Sequence, residues 1–127
     1  MIYTIKSKKT MNEIDKGLYE SAARHKFGIM IVHDLQKTMK NKGIEFEREC
    51  KIYEVCNPHQ AKKVLDANME ISTALPCRIS VYTESGSVKL STLKPTEILM
   101  MFGNKDLMAT AREVENVIFS MMNEAAK

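Results

Sequence analysis

The C-terminal stretch constrains this chain most. Leu107, Ala111, Val114, Ile118, Met121 and Ala125 recur at intervals of 4, 3, 4, 3 and 4 residues, which is the seam of an amphipathic helix. Met108, Val117, Phe119 and Met122 widen that seam to most of the circumference. A helix this apolar needs cover on more than one side. A sheet of the same chain supplies one cover. The other is either more of the same chain or a second copy of it. Asp106 is expected to cap the helix.

The rest of the chain alternates short strand-like and helix-like segments. Ile2 to Ile5 reads as a strand of β-branched and aromatic residues. Thr10 and Glu13 have capping-box spacing, and Met11, Ile14, Leu18, Ala22 and His25 then follow at helical intervals up to a break at Gly28. Ile29 to Val32 is continuously apolar, so a central strand buried on both faces is expected. Asp34 caps a short helix carrying Leu35 and Met39, which Gly43 stops.

Ile44, Phe46, Cys50 and Ile52 then alternate with Glu45, Glu47, Glu49 and Lys51, a strand with one wet face. Arg48 interrupts its apolar side, and the phase flips at Tyr53 and Val55, which predicts a bulge or a change of cover near Tyr53. Asn57-Pro58 opens a helix, with Gln60 in position for a second capping box. Ala61, Val64, Leu65 and Asn68 continue one face of it, and residues 69 to 76 read as irregular. Arg78 to Thr83 and Ser87 to Thr92 form a hairpin around Glu84-Ser85-Gly86. Pro95 starts a last short helix that Gly103 ends. With no repeat and no linker rich in Pro, Gly or Ser, residues 1–127 are expected to form one domain.

Composition removes several function classes. The net charge is +3, from 19 basic and 16 acidic residues. The basic residues fall in small groups such as Lys6, Lys8 and Lys9, not in a stripe, which argues against a nucleic-acid partner. The opening MIYTIKSKKT is not a signal peptide, and no segment is long enough to span a membrane as a helix. Three cysteines, odd in number and without C-x-x-C spacing, point to a reducing cytoplasm rather than a disulfide scaffold. Ten methionines and no tryptophan suggest either a Met-rich interior or a pliable binding surface.

Chemistry-bearing residues are few. Cys56 directly precedes the helix that starts at Asn57, where a helix N-terminus can stabilise a thiolate. Cys77 follows Pro76 and leads into a strand. The two thiols are either a reactive pair or small buried hydrophobes. Cys56 and His59 have C-x-x-H spacing, but with Cys77 they make only three ligands where a structural zinc takes four, so no metal site is expected. His33 lies at a strand end beside Asp34. Arg78 can hold an anion or pair with a glutamate. No phosphate-binding glycine loop, G-x-S-x-G or H-E-x-x-H is present.

The segments GIMIVHDLQKTMKNKGIEF, YEVCNPHQAKKVLDAN and ALPCRISVYTESGSVKLSTLKP, followed by an amphipathic helix, resemble domain-of-unknown-function family 302. The most specific pieces are E-V-C-N-P at Glu54 to Pro58 and L-P-C-R at Leu75 to Arg78. The resemblance implies an α+β fold with an antiparallel sheet covered by helices, a TATA-binding-protein-like topology and a tendency to form homodimers. It implies no agreed reaction.

Two functions are therefore weighed. One is a non-catalytic, dimeric binding or sensing module with a partly apolar pocket near the cysteine motifs. That pocket would take a small molecule or a cofactor such as haem, of unknown identity. The candidate ligand-binding residues are Cys56, Asn57, Pro76, Cys77, Arg78 and His33. The alternative is a thiol-dependent redox or sulfur-transfer enzyme using Cys56 and Cys77.

Overall fold

Side-chain caps and turn residues set most of the element boundaries. The Thr10 hydroxyl accepts the Glu13 N–H at 3.2 Å, and the Glu13 carboxylate accepts the Thr10 N–H at 3.0 Å. This reciprocal pair starts α1, Met11–Arg24. Asp34 accepts the Lys37 N–H at 3.0 Å and starts α2, Leu35–Asn41. Asn57 caps α3, Pro58–Ala67, and Pro95 opens α4, Pro95–Met100. Ser85 and Gly86 both have positive φ, 53° and 79°, the conformation of a two-residue hairpin turn. The computed structural model describes residues 1–127.

The strands are β1 (Ile2–Ser7), β2 (Gly28–Asp34), β3 (Cys50–Cys56), β4 (Cys77–Glu84) and β5 (Ser87–Leu93). They form one five-stranded sheet in the order β1-β5-β4-β3-β2, antiparallel at every pair. Together with the helices this makes an α+β fold. One sheet face carries Tyr53, Val55, Ile79, Val81, Val88 and Leu90, which pack with Ile14 and Leu18 of α1 and with Ile118, Met121 and Met122 of α5, Met108–Ala126. The buried Tyr53 hydroxyl donates to Asp15 at 2.6 Å. Burial and that bond lift the phenol well above its ordinary range. A second, smaller cluster joins Val64, Ile71, Leu99, Leu107 and Ala111 beyond one end of the sheet. The C-terminal helix runs through both clusters.

The structure corrects several sequence expectations. β2 is an edge strand, not a central one: it ends the sheet order, Met30 and Ile31 are 61% and 52% exposed, and a register shift falls between Ile29 and Ile31. The bulge therefore lies beside Tyr53 but in β2, opposite Glu54 and Val55, and not in β3 itself. The alternation from Ile44 to Glu49 is irregular chain; β3 begins only at Cys50. Tyr53 and Val55 simply face the helices while Cys50 and Ile52 face the other way. The first helix is closed by Lys26 at φ 60°, ahead of Gly28. The segment read as irregular holds a 3-10 turn, Met69–Ala74. Asp106 does not cap α5, because a 3-10 turn, Lys105–Leu107, precedes that helix and leaves it without a side-chain cap.

The apolar breadth of α5 is satisfied within the chain. α1 and the sheet bury Ile118, Met121, Met122 and Ala125, and Phe119 stacks on Tyr3 with ring centroids 3.9 Å apart. A second copy is not needed to cover it. No helix is long and apolar enough to cross a membrane.

Candidate functional site

The two cysteine motifs meet at one end of the sheet. β3 finishes at Cys56, where the Asn57 carboxamide oxygen accepts the His59 and Gln60 N–H groups at 3.0 and 3.3 Å and turns the chain into α3. The β3–β4 ladder sets Val55 opposite Cys77, so E-V-C-N-P and L-P-C-R converge. Between that sheet end and α3, the 3-10 turn at Met69–Ala74, α4 and α5 lies a cavity of about 60 Å³. Four of the six candidate residues line it: Cys56, Asn57, Pro76 and Cys77. No charged side chain does, and 13 of the 18 lining residues are hydrophobic, so the space suits a neutral and mostly apolar occupant.

Neither thiol is activated. Burial raises the Cys56 thiol above its ordinary value. Burial, reinforced by nearby Cys56, pushes Cys77 up to about 11, and the opposing pull of Arg78 is weaker. The helix start that was expected to favour a Cys56 thiolate offers little to it, because Asn57 already takes the N–H groups of His59 and Gln60. Both sulfurs therefore line the cavity as neutral thiols at physiological pH.

Sequence reasoning did not find Gln60 as a site residue; it was placed as a capping partner. The capping bond is not made. Instead Gln60 Nε2 donates to Glu113 on α5 at 3.1 Å. Gln60 Oε1 is left buried with no hydrogen-bond partner, on a side chain that lines the cavity. Spacing from the cap gave no signal for this, because the partner lies 53 residues away.

The family model described as "Domain of unknown function DUF302" matches residues 3–125. The chain belongs to the DUF302 family. Among solved structures, the uncharacterized conserved protein DUF302 from Bacillus stearothermophilus is similar, with a TM-score of 0.92 and 30% identity over 99% of this chain and 98% of that one. No curated protein matches the chain.

The remaining two candidates lie on the opposite sheet face of this DUF302 chain. β4 alternates, so Arg78 faces away from the helices while Cys77 faces toward them. Arg78 Nη2 approaches Glu54 Oε1 at 3.4 Å, and His33 Nε2 lies 3.1 Å from Glu54 Oε2. Glu54, only 12% exposed, thus joins Arg78 and His33 across three adjacent strands. Neither Arg78 nor His33 lines the cavity. Arg78 instead lines a groove of about 270 Å³ on this open face, beside Ile2, Ile52 and Leu93. Groove and cavity share Ala74, Pro76, Cys77 and Ile98 as a common wall.

Proposed function

We propose that this DUF302 domain is a non-catalytic small-molecule binding or sensing module whose ligand sits in the cavity between Cys56, Cys77 and α3. The observation that carries this reading is the convergence of both cysteine motifs on one uncharged, mainly apolar cavity. Concave, apolar sites with a few placed polar groups are the usual form of small-molecule sites. The thiol-enzyme alternative is weaker, because burial keeps both sulfurs protonated and a nucleophilic cysteine needs its thiolate.

The domain works as a homodimer in this reading. Support comes from the open sheet face, where Ile2 and Leu93 are 63% and 51% exposed and β2 adds Ile31, and from the dimers that the family resemblance implies. Its three free cysteines suit a reducing cytoplasm.

Native mass spectrometry of gently purified protein, set against the denatured mass, tests both parts. The expected spectrum is a dimer carrying extra mass that denaturation removes. Monomers with the extra mass would withdraw the dimer and keep the ligand. Bare chains that also show no response of cavity resonances to small apolar probes would overturn the binding reading.

A further inference from the structure

The orphaned carboxamide oxygen of Gln60 narrows the ligand. Its side-chain amide is oriented by Glu113: a carboxylate only accepts, so the nitrogen must face Glu113 at 3.1 Å and the oxygen must face away. That oxygen is buried and unpartnered. A buried acceptor left unpaired carries a desolvation penalty that a donor from a ligand would relieve. The other polar groups at the cavity discriminate less. The thiols are weak donors and weak acceptors, and the Asn57 oxygen is already occupied by two N–H groups. The Thr110 hydroxyl, which also lines the cavity, can donate as well as accept and so does not select between ligands with and without a donor.

We propose that the cavity recognises a small, neutral, mostly apolar molecule bearing one N–H or O–H group, and that Gln60 Oε1 accepts that hydrogen. The inference rests on the binding reading above and deepens it. The cavity is small, about 60 Å³, so the buried part of the ligand is small too. The lining has no charged side chain, so an ionised ligand would lie unpaired in an apolar site. A short alcohol or a five-membered N–H heterocycle has this chemistry. Gln60 is a specificity-determining residue in this account: the apolar lining supplies affinity for any small hydrophobe, and the orphaned oxygen selects those with a donor.

Pyrrole and furan test it. They have nearly the same shape and five ring atoms each, but pyrrole presents an N–H and furan an oxygen. Both are titrated into the isotope-labelled full chain, following the Gln60 side-chain amide and the methyl groups of Val64 and Leu99 by NMR. Pyrrole is expected to bind about fivefold or more tightly than furan, the margin of one net hydrogen bond. In Gln60→Met, which keeps length and removes the acceptor, the ratio is expected to fall to about one, by the same loss of one bond. Equal affinities for the native chain would overturn the donor selection and leave the binding reading standing. A preference that survives in Gln60→Met would assign it to another group and overturn the role of Gln60. No response to either probe would remove the binding reading itself, and this inference with it. The native comparison does not depend on the variant folding.

Discussion

The two apolar clusters of this molecule use similar residues and end up packed differently. The larger holds 15 buried residues, all from the sheet, α1 and α5 except Phe27 in the α1–β2 connection, and six of them, Ile14, Leu18, Ile118, Met121, Met122 and Ala125, are helix side chains with no accessible surface. Its walls are regular elements, so side chains from facing ridges interdigitate. The smaller holds five buried residues drawn from α3, two 3-10 turns, α4 and the start of α5. Three of those pieces are only six, six and three residues long, and their surfaces do not close on one another. The cavity is what remains between them. Regular packing gives this domain its stability, and irregular packing leaves the room in which a ligand can sit.

Truncating each cluster once should separate them most strongly. Leu18 is fully enclosed, so Leu18→Ala is expected to lower unfolding free energy by about 2–5 kcal/mol. Leu99 is 7% exposed and borders the existing cavity, so it already lacks contacts on one side. Leu99→Ala is expected to cost less, by about 1 kcal/mol or more, within the range that buried leucines span. Chemical denaturation measures both. Equal losses would mean that the smaller cluster is as tightly packed as the larger.

A second variant probes how closely the large cluster is fitted. A Cβ added at Gly17 on α1 would lie 3.0 Å from the Ala125 Cα and 3.2 Å from its Cβ on α5. Alanine improves helix propensity by about 1 kcal/mol. Overpacking against a backbone atom costs about 1–3 kcal/mol, and α5 cannot yield without disturbing Ile118 and Met121 beneath it. Gly17→Ala is therefore expected to destabilise by on the order of 1 kcal/mol net. A stabilised variant would show that the two helices can slide apart, and that the large cluster is looser than its burial suggests.

How much of this was readable beforehand divides along the same line. Met11, Ile14, Leu18 and Ala22, and the seam from Leu107 to Ala125, place both long helices because period 3.6 is a local property of sequence. The caps at Thr10, Asp34 and Asn57 and the turn at Ser85-Gly86 are local too. β2 failed for a non-local reason: an apolar run does not say whether a neighbouring strand covers it, and here the edge is left open at Met30 and Ile31. Four of the six candidate site residues converge on the cavity because two short motifs sit at facing strand ends. Arg78 and His33 went elsewhere, since strand alternation sends Arg78 to the face opposite Cys77. The pairing of Gln60 with Glu113 depends on how α3 meets α5, and no local pattern carries that.

The smallest effect joins the two clusters to function. Ala61 lies on α3 and lines the cavity without being part of the buried core. Ala61→Val adds two methyl groups toward space that no other side chain occupies. Filling a void restores dispersion contacts that its walls lack, and cavity filling commonly stabilises by about 0.5–2 kcal/mol. Valine in a helix gives back up to about 0.7 kcal/mol of propensity. A net gain on the order of 0.5 kcal/mol is expected, together with weaker pyrrole binding, because the ligand and the new methyls compete for the same volume. Stability that rises while binding falls is the pattern of a cavity kept open for a ligand. Stability that falls would mean that the walls already touch, and the difference between the two clusters would then be one of regularity and not of free space.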